Sequence, residues 1–110
     1  MKVHTIKEST VREYVLANAR SRPSFEEFLV KLKYADWEKP ADIKDSFSAA
    51  DLLGKGSNRV VFNVGGNTYR VIAKYAFGDK EVHFFICWIG THAEYTKICN
   101  GQMQYTINIY

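Results

Sequence analysis

Two groups of residues in the second half of the chain carry side chains suited to chemistry. Arg59, Arg70 and Lys74, with Asn63 between them, fall on segments of alternating apolar and polar residues. If those segments pair as strands, the three cations spread over one face. Such a face suits a phosphate backbone, and Arg grips phosphate through two parallel hydrogen bonds. The same residues also fit a plain solvated sheet face, which commonly carries Lys and Arg. The second group is Thr91-His92-Ala93-Glu94-Tyr95. Thr91 and Glu94 have the spacing of a capping box, so Glu94 reads first as a helix cap rather than a catalytic carboxylate. His92 then takes the first helical position, where the positive end of the helix dipole favours a neutral imidazole able to accept a proton. Tyr95 lies three residues on and projects from the same side of the helix. A lone His at a helix start is also commonly structural.

Other chemistries are poorly supported. His83, Cys87, His92 and Cys99 lack zinc-ligand spacing. Gly65-Gly66-Asn67 is not followed by the Gly-Lys-Ser/Thr of a phosphate loop, and there is no nucleophile elbow. Neither a metal nor a cofactor is expected.

The elements that position these residues follow from periodicity. Asn58–Val64 alternates, Gly65-Gly66-Asn67 turns, and Thr68–Phe77 alternates again. Gly66-Asn67 and Gly65-Gly66 are both acceptable two-residue hairpin loops. Either sets Val60, Phe62 and Val64 on one face with Tyr69, Val71 and Ala73. A three-residue loop would shift the register and bring Arg70 onto that apolar face, so a two-residue loop is preferred. The opposite face then holds Arg59, Val61 and Asn63 beside Thr68, Arg70, Ile72 and Lys74.

Around this hairpin, residues 2–7 read as a short strand. Thr10 to Glu13 has capping-box spacing, and Val11, Tyr14, Val15 and Ala19 predict a first helix ending near Arg20 and broken by Pro23. Ser24 to Glu27 repeats the spacing, and Phe25, Phe28, Leu29 and Leu32 form the stripe of a second helix. Pro40 opens a short helix to Phe47, Trp37 and Phe47 are packing residues, and Gly54-Lys55-Gly56-Ser57 is a turn. Gly78-Asp79 turns into an apolar strand over Val82–Ile89, the Thr91 box opens a helix to about Cys99, and Gln104–Tyr110 reads as a last strand. The order β-α-α-β-β-β-α-β predicts an α+β fold, with an antiparallel sheet covered on one side by helices.

Composition agrees with one domain spanning 1–110. The chain is 46% hydrophobic and 15% aromatic, enough for a packed core. No stretch is long and apolar enough to span a membrane, the start has no signal-peptide pattern, and the two cysteines form no C-x-x-C pair. A cytoplasmic protein with reduced thiols is the expectation. Residues 1–54 hold nine basic and nine acidic side chains, whereas residues 55–110 hold six basic and three acidic. The net charge of +3 therefore lies wholly in the second half, which suggests an anionic partner, and equally fits a chance distribution on a mildly basic protein.

Several motifs stand in register. Ala35-Asp36-Trp37, Pro40-Ala41-Asp42-Ile43-Lys44, Arg59-Val60-Val61-Phe62-Asn63-Val64-Gly65-Gly66-Asn67, Tyr69-Arg70-Val71-Ile72 and Thr91-His92-Ala93-Glu94-Tyr95 occur in this order. Taken together, from about residue 30 to residue 98, they resemble the HigB-type toxins of bacterial toxin–antitoxin systems. The resemblance implies a RelE-like fold, with two N-terminal helices on one face of an antiparallel sheet and a short C-terminal helix. It also implies an endoribonuclease that cuts mRNA, commonly on the translating ribosome. Its implied partner is a helix-turn-helix, HigA-like antitoxin, through which alone it would meet operator DNA. The RNA-facing positions it implies are Arg59, Asn63, Asn67, Arg70, Lys74, His92 and Tyr95. Residues 101–110 have no counterpart in it, and read as an extension that is a strand or disordered.

The mechanism expected is metal-independent attack by the RNA's own 2′-hydroxyl. His92 takes the proton, while Arg70, helped by Arg59 or Lys74, stabilises charge on the phosphoryl oxygens. Tyr95 orients the phosphate or protonates the leaving oxygen. Two other classes fit the same residues: a module that binds RNA or the ribosome without cutting, and an interaction partner of a DNA-binding antitoxin.

Overall fold

A computed structural model describes residues 1–110. The strands are β1 (Lys2–Ile6), β2 (Asp51–Leu53), β3 (Arg59–Val64), β4 (Tyr69–Phe77) and β5 (Glu81–Thr91). The helices are α1 (Ser9–Ala17), α2 (Arg22–Tyr34), α3 (Ile43–Ser46) and α4 (His92–Asn100), with 3-10 turns at Ala19–Ser21, Pro40–Asp42 and Met103–Tyr105. They build one five-stranded sheet in the order β1-β5-β4-β3-β2. The pairs β2–β3, β3–β4 and β4–β5 are antiparallel, but β1 runs parallel to β5. The expectation of a purely antiparallel sheet therefore needs correcting at its first strand. Hairpin turns dictate only the pairing of chain neighbours, and β1 finds its partner across most of the chain.

The hairpin has the expected register. Val64 pairs with Tyr69, and the Thr68 N–H donates to the Gly65 carbonyl at 3.2 Å, which makes Gly66-Asn67 the centre of the turn. Gly65 has φ +66°, and a Cβ there would come 2.8 Å from Ser24 Oγ, so glycine is required on both counts. Val60, Phe62, Val64, Val71 and Ala73 lie in the main core with Val11, Phe25, Phe28 and Leu32 of the first two helices. Phe62 sits at its centre, its ring 4.8 Å from Phe47, 5.2 Å from Phe28 and 5.6 Å from Phe84. Trp37 is fully buried and donates from Nε1 to Ser46 Oγ at 2.9 Å, which satisfies its one polar atom.

The helix starts differ from expectation twice. α1 begins at Ser9, straight out of the turn at Lys7 (φ +59°), with no side-chain cap. Thr10 is thereby inside the first turn, too late to cap it. α2 begins at Arg22, so Pro23 opens this helix, where a missing N–H costs nothing. Ser24 is consequently inside the helix as well, and the first helix has already ended at Ala17. The Thr91 box forms as expected. Thr91 Oγ1 accepts from the Glu94 N–H at 3.2 Å, and Glu94 Oε1 accepts from the Thr91 N–H at 2.8 Å.

The outer face of the sheet is also covered, contrary to one-sided packing. Val61, Ile72, Cys87 and Trp88 form a second small cluster, closed by Tyr95 and Ile98 of α4 and by Ile107. A bulge supports it: Ile72 faces Trp88 while Ala73 faces Ile86, so Cys87 is the extra residue. Both Cys87 and Trp88 then point outward, against strict alternation. Residues 104–110 are neither a regular strand nor disordered. After the turn at Met103–Tyr105 they run extended, and the Ile109 N–H donates to the Cys87 carbonyl at 3.0 Å. No helix is long and apolar enough to cross a membrane.

Candidate functional site

The β3–β4 register decides how the nominated residues are grouped. Arg59 faces Lys74, Val61 faces Ile72, and Asn63 faces Arg70. An apolar rung therefore separates two polar rungs, and α4 with Ile107 covers that rung. The cations form two stations rather than one open row.

The first station centres on Arg70, only 7% exposed. Its Nη1 donates to the Tyr69 carbonyl at 3.0 Å and its Nη2 to Asn67 Oδ1 at 2.5 Å. No Asp or Glu forms an ion pair with it. A guanidinium withdrawn from water is usually paired with an anion. Here the acceptors are neutral, so its positive charge stays uncompensated and two or more of its five N–H donors remain for a ligand.

His92 and Tyr95 approach the same end of the hairpin. The His92 N–H donates to the Thr68 carbonyl at 3.0 Å, which stitches the start of α4 to the hairpin turn, and the His92 side chain is exposed. Tyr95 is half-buried, with its ring 6.3 Å from that of Trp88. Burial first, and then the neighbouring Cys99 thiol, push the Tyr95 phenol well above its ordinary value, against the opposing pull of Arg70. The phenol thus stays protonated across the physiological range, available as a donor and not as a base. Asn67 is exposed but engaged with Arg70. Asn63 is exposed too, and borders a cleft of about 200 Å³ shared with Ser24, Glu27 and Lys31 of α2.

The second station holds Arg59 and Lys74. Lys74 is exposed, but Arg59 is only 7% exposed, because residues 104–107 lie over it. Its Nη1 donates to the carbonyls of Ile107 at 2.6 Å and Gln104 at 3.2 Å. Burial pushes the adjacent Cys87 thiol up, opposed by Arg59 and Lys74. No three His, Cys, Asp or Glu side chains converge anywhere in the molecule, and His83 instead meets Glu81 at 3.1 Å.

Sequence reasoning passed over Trp88 and Gly90. Gly90 is the cross-strand neighbour of Arg70, and a Cβ on it would lie closer than 3.0 Å to Cζ2 and Cη2 of Trp88. The indole therefore lies across the glycine, beside Arg70. A glycine inside a strand marks such a close approach, and was the available signal.

A family model described as HigB_toxin, the RelE-like toxic component of a toxin-antitoxin system, matches residues 21–98. The chain belongs to this family. Its mixed five-stranded sheet with helices packed on it is compatible with the RelE-like fold of HigB toxins. Among curated proteins, the mRNA interferase HigB of Escherichia coli O6:H1 is 36% identical over 67 residues. That alignment covers 61% of this chain and 63% of the relative, so it spans less than two thirds of the relative's length. Every nominated residue from Arg59 to Tyr95 falls inside the HigB family match, and residues 101–110 fall outside it.

Proposed function

We propose that this chain is the toxin of a toxin–antitoxin pair and an endoribonuclease that cuts mRNA in the cytoplasm. The observation that carries this reading is the buried Arg70 guanidinium, held by two neutral acceptors with no carboxylate partner. Such a group is preorganised for charge that develops on a phosphoryl oxygen. Family membership and the mRNA interferase named among its relatives supply the substrate class.

In the proposed step His92 accepts the proton of an RNA 2′-hydroxyl as that oxygen attacks the adjacent phosphorus. The bond from phosphorus to the 5′-oxygen breaks, leaving a 2′,3′-cyclic phosphate. Tyr95, which stays protonated, donates to the phosphate or to the departing oxygen. Arg70 offsets the negative charge, and Asn67 holds the guanidinium in place. The requirement for a 2′-hydroxyl separates RNA from DNA as substrate. No step uses a metal ion. The proposed setting is the translating ribosome, and the proposed partner is a HigA-like helix-turn-helix antitoxin that links the toxin to operator DNA.

Inducible expression in bacteria with mapping of mRNA ends tests this directly. Arg70→Ala should lower cleavage by on the order of 10²–10³, and His92→Ala by roughly 10²–10⁴. Both variants should stay folded and relieve growth inhibition. A folded double variant as toxic as the parent would refute the site. Equal RNA binding by parent and variants, with no cleavage even when ribosomes are present, would make the chain a binder rather than an enzyme.

A further inference from the structure

Residues 101–110 cross the outer face from β3 to the upper edge of β5. At one end Arg59 donates to the carbonyls of Gln104 and Ile107, and Lys55 lies over the Tyr105 ring with Nζ 4.6 Å from its centre. In the middle Ile107 closes the small apolar cluster. At the far end Ile109 donates to Cys87, on the stretch of β5 that lies beyond its pairing with β1. The segment contains no Asp, Glu, Lys or Arg.

Its hold is incomplete in two respects. Gln104 Oε1 is buried without a hydrogen-bond partner, a defect that costs free energy for as long as the segment is seated. Arg59 is buried against neutral carbonyls only, and no carboxylate pairs with it. Hydrogen bonds from a guanidinium to an ionised oxygen are roughly twice as strong as neutral ones. An anion able to reach Arg59 would therefore bind it better than the segment does. Lys74 lies opposite Arg59 in the register and is exposed, and Lys55 waits on the Tyr105 ring. Asp51, which faces Val61 at the start of β2, forms no ion pair with these cations.

We infer that residues 101–110 are a displaceable strap over a second RNA-phosphate subsite formed by Arg59, Lys74 and Lys55. This inference rests on the RNA reading above and specifies how that face is regulated. With the strap seated, Arg59 is taken up by the carbonyls of Gln104 and Ile107, and the chain engages RNA at reduced affinity. When a longer single strand reaches the second station, its phosphate takes Arg59 from the carbonyls of Gln104 and Ile107, and the strap leaves. The apparent affinity is lowered by the fraction of molecules whose strap is closed, so loosening the strap strengthens binding.

The test uses the full chain and a short single-stranded 2′-O-methyl oligonucleotide, which has no free 2′-hydroxyl and cannot be cut by the proposed step. Ile109→Pro removes the N–H that bonds Cys87, while the Ile109 side chain is already 60% exposed and contributes little packing. The variant should bind the oligonucleotide about three- to tenfold more tightly, the factor one hydrogen bond commonly contributes. In the unmodified chain, saturating oligonucleotide should speed hydrogen exchange at the Ile109 amide, which bonds Cys87 across the strap, at least about tenfold, and leave the β3–β4 amides protected. If the oligonucleotide binds but the Ile109 amide stays protected, the strap inference is overturned while RNA binding stands. Failure of both the parent and a folded Ile109→Pro variant to bind overturns the RNA reading of this face, and the strap with it.

Discussion

Replacing Gly90 by Ala probes the contact that shapes the Arg70 station. A Cβ at this position falls closer than 3.0 Å to two carbons of the Trp88 ring and 3.0 Å from Glu94 Oε1. Ordinary carbon contacts lie at about 3.5–4.0 Å, so the ring must shift. It has little room inward, being only 7% exposed and packed on Val61, Ile72 and Cys87. Overpacking of this kind costs roughly 1–3 kcal/mol. The backbone at Gly90 is free of positive φ, so Ala also gains about 0.4–1 kcal/mol by restricting the unfolded chain. The expected net loss is about 1–2 kcal/mol, with Tm falling by roughly 4–8 °C for each kcal/mol. Thermal and urea unfolding of the parent, Gly90→Ala, Trp88→Leu and the double variant make a cycle. With the indole gone only the 3.0 Å approach to Glu94 Oε1 remains, so most of the cost of Gly90→Ala should disappear in the Trp88→Leu background. An unchanged cost in that background, or a single variant as stable as the parent, refutes the packing argument.

Glu94→Gln should keep both stability and cleavage, since Gln also reaches the Thr91 N–H, whereas Glu94→Ala should lose up to about 1 kcal/mol in unfolding experiments. Loss of cleavage in folded Glu94→Gln would make this carboxylate catalytic. Asn67→Ala should lower kcat for RNA cleavage with little change in Tm, and Asn67→Asp should lower it further, because a carboxylate would neutralise Arg70; equal activity of Asp and Asn at this position argues against the role. The Tyr95 phenol is raised in the folded state, so its contribution to stability is present below pH about 10, the unfolded value, and is lost above it as the unfolded chain ionises first. Urea midpoints should therefore fall at alkaline pH, with a shallower fall in Tyr95→Phe.

Local signals and long-range ones differ in what they revealed. The face parity of Val60, Phe62 and Val64 against Arg59 and Asn63 was legible, because a two-residue turn and period-two alternation leave one register. The Thr91–Glu94 cap was legible because both partners lie within four residues. The same spacing at Thr10 and Ser24 misled, since the turn at Lys7 and the proline in the first turn of α2 set those helix starts instead. The three-residue β2 carries too few residues to show a period. The fate of Arg59 was hidden for a different reason. Its partners are main-chain carbonyls forty-five and forty-eight residues away, and a carbonyl has no sequence signature. Trp88 and Cys87 both point outward only because a bulge breaks the alternation on which face assignments depend.

The parallel seam between the first and last strands has a consequence for synthesis. Lys2 pairs with Glu81, seventy-nine residues later. At a translation rate of about 5–20 residues per second, β1 waits roughly 4–16 seconds for its partner to be made. During that interval the core that α1 and α2 cover lacks Val82, Phe84, Ile86 and Ile89. Arg70 lacks its neighbour Gly90, and His92 and Tyr95 do not yet exist. Such long-separated contacts delay folding until the end of the chain is available. A nascent chain therefore carries no assembled Arg70 station until β5 and the start of α4 have been added.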